Sequence, residues 1–154
     1  MALKLSFASS NMEYSKGLSI LYLIGDRGLD LTKGEGYKIH VLKIIDGLKK
    51  KGHKVFLLNV NENPSLPEFE NYLCIPHAYM PAIHQFFPYT ELIDSKNILT
   101  EIIRLNRQMH FDVIHERYGL YSYGWIFAAK LLKKPLLLEV NAPLVEENNS
   151  LLSR

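Results

Sequence analysis

Three groups of residues in this chain have the types and spacing to do chemistry. Gly34 and Gly36 stand in a loop rich in Gly, Asp, Lys and Thr, just before an amphipathic run, and His40 follows the second glycine by four residues. Backbone N–H groups of such a loop, and of the helix start behind it, can approach a phosphate or a sugar oxygen. Turn glycines at positive φ fit the same spacing, and a helix-packing histidine accounts equally for His40. The second group is Glu116, Arg117 and Tyr118, which follows the apolar run FDVIH. A planar guanidinium and a carboxylate suit paired sugar hydroxyls. The third is Glu139 and Asn141, two apart at the end of LLLEVN and therefore on one side of a strand. An acid inside an apolar run needs a partner. A pairing of Arg117 with Glu139 inside the domain is the structural alternative to a binding role.

Other candidates read more simply as structure. His77 and His84 are seven apart in a proline-rich stretch, with no further ligand to complete a metal site. Tyr79, Phe86, Phe87 and Tyr89 could stack on a sugar or a lipid, but such a cluster is more often a packed loop or a subunit contact. Cys74 is the only cysteine, which leaves no disulfide framework and no cysteine metal site and fits a reducing cytoplasm.

The elements that hold these residues are legible from periodicity. An apolar run at 20–24 predicts a first strand covered on both faces. The loop 25–36 leads into a helix from about Gly36 or Tyr37 to Lys51. Tyr37, Val41, Ile44 and Leu48 form its buried stripe, and Gly52 stops it. Val55 to Val60 and Tyr72 to Ile75 read as the second and third strands. Pro76, Pro81 and Pro88 exclude a regular helix between them. Asp94 or Ser95 is expected to cap a helix running to about Gln108. Phe111 to His115 reads as strand four, with Glu116 to Tyr123 as the loop after it. A helix over 124–133 buries Trp125, Ala128, Ala129 and Leu132, and strand five is Leu136 to Val140.

Strand and helix thus alternate as in an α/β, doubly wound parallel sheet of Rossmann-like order 3-2-1-4-5. In that order the loops 25–36 and 116–121 wall the crevice where the strand order reverses, the place where such sheets bind ligands. Residues 1–17 read as a tail or pre-strand extension and 18–154 as the domain. The run after Pro143 carries no stop signal, so the domain reads as incomplete at its carboxyl end.

Totals narrow the function classes. A chain of 154 residues can bury one core. With Lys+Arg 18 against Asp+Glu 16, a clustered basic face for nucleic acid is not expected. No apolar run approaches the ~20 residues that span a bilayer. Neither GxGxxG nor a Walker loop is present, so no cofactor is expected and a nucleotide-binding reading is disfavoured.

Four stretches, ILYLIGD, KGEGYKIHVLKIIDGLKKKGHKV, FDVIHERYGLYSYGWIFAAKLLKKP and LLLEVNAP, resemble the amino-terminal half of a GT-B glycosyltransferase, the subfamily-4-like domain of retaining family 4 enzymes. The resemblance covers most of 18–145. It implies a domain that holds the acceptor sugar or glycolipid. A second domain would bind the nucleotide-sugar and carry a pair of glutamates, with transfer in the cleft between them. It places Gly34, Gly36, His40, Glu116, Arg117, Tyr118, Glu139 and Asn141 on the substrate side. Some relatives carry a histidine near the position of Asn141. The isolated chain is then expected to be inactive; the lysines of the first helix could make a peripheral membrane contact, although a solvated helix face explains them more simply, and self-association is a further option. The competing expectation is a non-catalytic binding or oligomerisation module on the same fold.

Overall fold

The computed structural model describes residues 17–26, 29, 31–32, 35–60, 69–75, 90–119 and 122–141. In chain order these form β1 (Ser19–Ile24), α1 (Glu35–Lys50), β2 (Lys54–Asn59), β3 (Tyr72–Cys74), α2 (Thr90–Met109), β4 (Val113–Arg117), α3 (Gly124–Leu132) and β5 (Leu136–Glu139). Gly34, the proline-rich stretch with His77, His84 and its aromatic residues, residues 1–16 and the segment after Asn141 lie outside the described residues.

The strands make one parallel sheet in the order β3-β2-β1-β4-β5, as the alternation predicts. β1 pairs with β2 on one side and β4 on the other, in register Tyr22↔Leu57 and Tyr22↔His115. The strand order therefore reverses between β1 and β4. Central strands read as unbroken apolar runs because both faces are covered. On one face Ile20, Tyr22, Ile24, Val55 and Leu57 pack against Val41 and Ile45 of α1. On the other, Leu21, Leu23, Phe56, Leu58 and Ile114 pack against Ile98, Ile102 and Leu105 of α2 and Trp125, Ala128 and Ala129 of α3. Gly52 closes α1 at φ 84, the left-handed geometry that favours glycine there.

Two sequence expectations are corrected. Asp94 and Ser95 do not cap α2, which begins at Thr90; both are buried within it. Ser95 instead serves the contact with α3. Its hydroxyl accepts a hydrogen bond from the Tyr123 backbone N–H at 3.1 Å. A Cβ on Gly124 would lie 1.8 Å from the Ser95 carbonyl oxygen, so the two helices touch backbone to backbone there. β4 is also displaced, starting at Val113 rather than Phe111 and running to Arg117. Phe111 is buried as a plug beneath the sheet, with its ring 5.5 Å from that of Phe56. Its N–H donates to Asn106 Oδ1, and Asp112 bonds Ser19 before regular pairing begins. Glu116 and Arg117 are consequently strand residues that point to opposite faces.

β5 lies at the sheet edge. Leu136, Leu137 and Leu138 are exposed by 38%, 53% and 43%, and the outer side of α3 shows Ile126, Phe127 and Leu131. No helix among the described residues is long and apolar enough to cross a membrane.

Candidate functional site

The carboxyl ends of β1, β4 and β5 present polar side chains on the face that α1 covers. Parallel pairing sets them in line: Tyr22 beside His115, and Arg117 beside Glu139. Paired residues of adjacent strands point the same way, so all four side chains share one layer. His40, from the second turn of α1, reaches the same point from above.

Glu139 is the hub. Its Oε2 accepts a hydrogen bond from the Tyr22 hydroxyl at 2.7 Å and lies 3.4 Å from His115 Nε2. Its Oε1 lies 2.8 Å from His40 Nε2, 2.5 Å from Asn141 Nδ2 and 3.5 Å from Arg117 Nη1. With a carboxylate opposite, His40 Nε2 is the nitrogen that carries the proton. Burial pushes the Glu139 carboxyl up. Hydrogen bonds from Tyr22, Asn141 and His40, together with the charge on His40, outweigh that and hold it below the ordinary range. The same bond works in reverse on Tyr22: burial first, then the carboxylate, push its hydroxyl far up, so it stays a donor. His115, its ring 4.6 Å from that of Tyr22, is pushed down by burial against the pull of Glu139.

The result is an ionised carboxylate ringed by donors. Tyr22 is completely buried and fixes one oxygen from within that layer. His40 and Asn141 sit on the solvent side of the other oxygen. Arg117 makes a single long contact to Glu139 and acts on the Tyr22 hydroxyl. A guanidinium carries five N–H donors, and this one is 11% exposed. One fixed acceptor beside one planar donor matches a pair of neighbouring hydroxyls.

The connections that leave β1 and β4 meet over this edge. A Cβ on Gly119 would lie 3.3 Å from Asp26 Cβ and 3.4 Å from the Gly25 carbonyl carbon. Gly25 is tighter still. A Cβ there would fall 2.7 Å from Ser122 Oγ and 2.9 Å from Glu116 Oε1.

Of the residues singled out by sequence, His40, Arg117, Glu139 and Asn141 come together. Tyr118 joins through its backbone, its N–H donating to the Glu139 carbonyl at 2.9 Å. Glu116 is on the opposite face, completely buried, with neither carboxyl oxygen hydrogen-bonded. Burial, then the charge of Asp26, push its carboxyl well above the ordinary range; the nearby Gly25 amide opposes this without closing a full hydrogen bond. Gly36 lies inside α1 with open space around it, so it is not a turn glycine. Tyr22 and His115 were not legible as site residues, because each stands in an apolar run. The usable signal was the two-residue spacing of His115 and Arg117, which repeats that of Glu139 and Asn141 on the next strand. Among the described residues no group of three or more His, Cys, Asp or Glu is placed to hold a metal ion. A separate groove of about 150 Å³ lies between α1 and β2, lined by Leu42, Ile45, Lys49, Phe69 and Asn71. Its Lys49 is paired to Glu70 at 3.1 Å.

No family model matches the chain. No curated protein matches it in sequence. Solved structures do share its fold. The C-terminal domain (residues 83-215) of the PF1911 hydrogenase from Pyrococcus furiosus superposes with a TM-score of 0.57 at 15% identity, over 80% of this chain and 93% of that one. A second structure of that domain gives 0.53 at 11% identity, over 81% and 93%. The UDP-GlcNAc 2-epimerase from Methanocaldococcus jannaschii gives 0.53 at 16% identity, over 79% of this chain and 31% of that one. At these identities the likeness is one of fold.

Proposed function

We propose that this chain is the acceptor-side domain of a GT-B type glycosyltransferase of the subfamily-4-like kind. In this reading it holds the sugar or glycolipid that receives a glycosyl group. A nucleotide-sugar donor binds on a separate domain facing the same crevice, and the chain by itself does not transfer sugar. The observation that carries this is the Glu139 hub beside Arg117 at the carboxyl edge of β4 and β5. An acceptor hydroxyl takes the place of Asn141 on Glu139 Oε1, and Arg117 with the freed Asn141 amide donates to the neighbouring hydroxyl. His40 closes the rim from α1. The fold shared with a UDP-GlcNAc 2-epimerase, of which this chain spans 31%, agrees with a domain that works beside another. The single cysteine fits a cytoplasmic setting.

The test is saturation-transfer NMR from the chain to two probe sets, methyl glycosides and UDP-sugars. Glycosides are expected to bind in about the millimolar range, near −4 kcal/mol, and to lose the effect in Arg117→Leu. Micromolar binding of a UDP-sugar to this chain would overturn the assignment of donor binding to a separate domain. A second reading, a non-catalytic assembly module, draws on one feature: the exposed leucines of β5 and their continuation on α3. That reading requires a stable oligomer, so a monomer in sedimentation would exclude it.

A further inference from the structure

Glu116 is the one acid of β4 turned away from the site, and its surroundings are unusual. It is completely buried, and both its oxygens and the neighbouring Ser122 Oγ lack hydrogen-bond partners. Ser122 Oγ and Glu116 Oε1 both lie within 3 Å of the point where a Gly25 side chain would begin, so the carboxyl sits directly under the turn that leaves β1. The turn after β4 closes the same spot from the other side, with Gly119 against Asp26 and Gly25.

Among the described residues the charges around it are few. Asp26 faces it from the turn after β1, and its effect is repulsive. α2 meets α3 through the neutral Ser95, and the buried residues of α3 are Gly124, Trp125, Ala128 and Ala129. Arg117, the nearest cation in sequence, points to the opposite face. Among the described residues no cation faces this carboxyl and no donor closes a full hydrogen bond to it, and a carboxylate in such a place either holds a proton or opens the place to water.

We propose that Glu116 is a proton-operated latch between the two turns that wall the crevice. While its carboxyl is neutral, Gly25 and Asp26 on one side and Gly119 and Ser122 on the other stay packed over it. When the proton leaves, they separate to hydrate the carboxylate, and the mouth of the crevice loosens. This holds whether or not the crevice takes a sugar, and so it can fail or succeed independently of the reading above.

The chain carries its own reporter. Trp125 is its single tryptophan, 3% exposed, and its indole N–H donates to the Ser122 carbonyl at 2.9 Å. The experiment titrates glutamate-¹³C-labelled chain from about pH 4 to pH 9, a window that starts near the ordinary carboxyl value, with Trp125 emission read on the same samples. The Glu116 carboxyl carbon should titrate above the other glutamates. Trp125 emission should shift to the red, and Gly119 and Ser122 amide exchange should speed up, in step with it. Asp26→Asn should move that midpoint to lower pH, and Glu116→Gln should leave emission flat. Titration of Glu116 in the ordinary range, or titration with no change at Trp125, overturns the latch. An unchanged pH response in Glu116→Gln does so too. If Glu116→Gln fails to fold, the coincidence or separation of the two wild-type curves decides alone.

Discussion

Replacing Tyr22 by Phe removes one hydroxyl and little else. The Tyr22 ring is completely buried, and Phe fills the same volume, so no cavity term enters. What disappears is a 2.7 Å hydrogen bond to an ionised carboxylate. A bond to a charged group contributes about 1.5–3 kcal/mol net. Glu139 keeps its other donors, His40 and Asn141 among them, so no buried charge is stranded and the lower part of that range applies. A loss of about 2 kcal/mol in a chain of 154 residues lowers the melting temperature by about 4–8 °C. Urea unfolding at neutral pH measures it, in the wild type and again in Glu139→Gln. With a neutral amide oxygen as acceptor, the Tyr22→Phe cost should fall to about 1 kcal/mol. Equal costs in both backgrounds would show that Tyr22 and Glu139 are not coupled, and the hub would not exist as described.

The pH dependence of the hub has a definite sign. The Glu139 carboxyl is lowered in the folded chain, so its contribution is present above the unfolded value near ~4.3 and is lost as acid protonates it. The stability gap between wild type and Glu139→Gln should therefore shrink below that pH, read by urea unfolding in an acid series. Glu116 has the opposite sign. Raised in the folded state, it makes stability fall as pH rises past the unfolded carboxyl value, so Glu116→Gln should gain on the wild type with a slope of at most about 1.4 kcal/mol per pH unit. Gly124→Ala should cost about 2 kcal/mol or more. Its Cβ would meet the backbone oxygen of Ser95 at 1.8 Å, and the helix-propensity gain of about 1 kcal/mol cannot offset that overlap. Thermal unfolding checks it, and a neutral result would mean that α2 and α3 are not in backbone contact.

The alternation of apolar runs with helical stripes was sufficient for the sheet order, because a central parallel strand must be apolar throughout and few right-handed arrangements remain. The pairing of Arg117 with Glu139 was legible for a similar reason: an acid in an apolar strand demands a partner. Phe111 misled because burial, which periodicity detects, does not distinguish a strand residue from a plug under the sheet. Ser95 misled because a serine that suits a cap also suits a tight contact between helices, and only Gly124, 29 residues later, reveals which. Tyr22 and His115 stayed hidden because the polar tip of an otherwise apolar side chain leaves no mark on a hydropathy pattern. Their roles come from the register of three strands that are distant in sequence.

The central claim is that Glu139, held by the buried Tyr22 of the same layer, and Arg117 beside it form one seat for neighbouring hydroxyls. It is tested most directly by mapping which resonances of the labelled chain move when methyl glycosides are added. Movement confined to His40, Arg117, Glu139 and Asn141, and abolished by Glu139→Gln, is the expected result. Movement centred instead on the groove of Leu42, Lys49 and Asn71, or none at all, would contradict it.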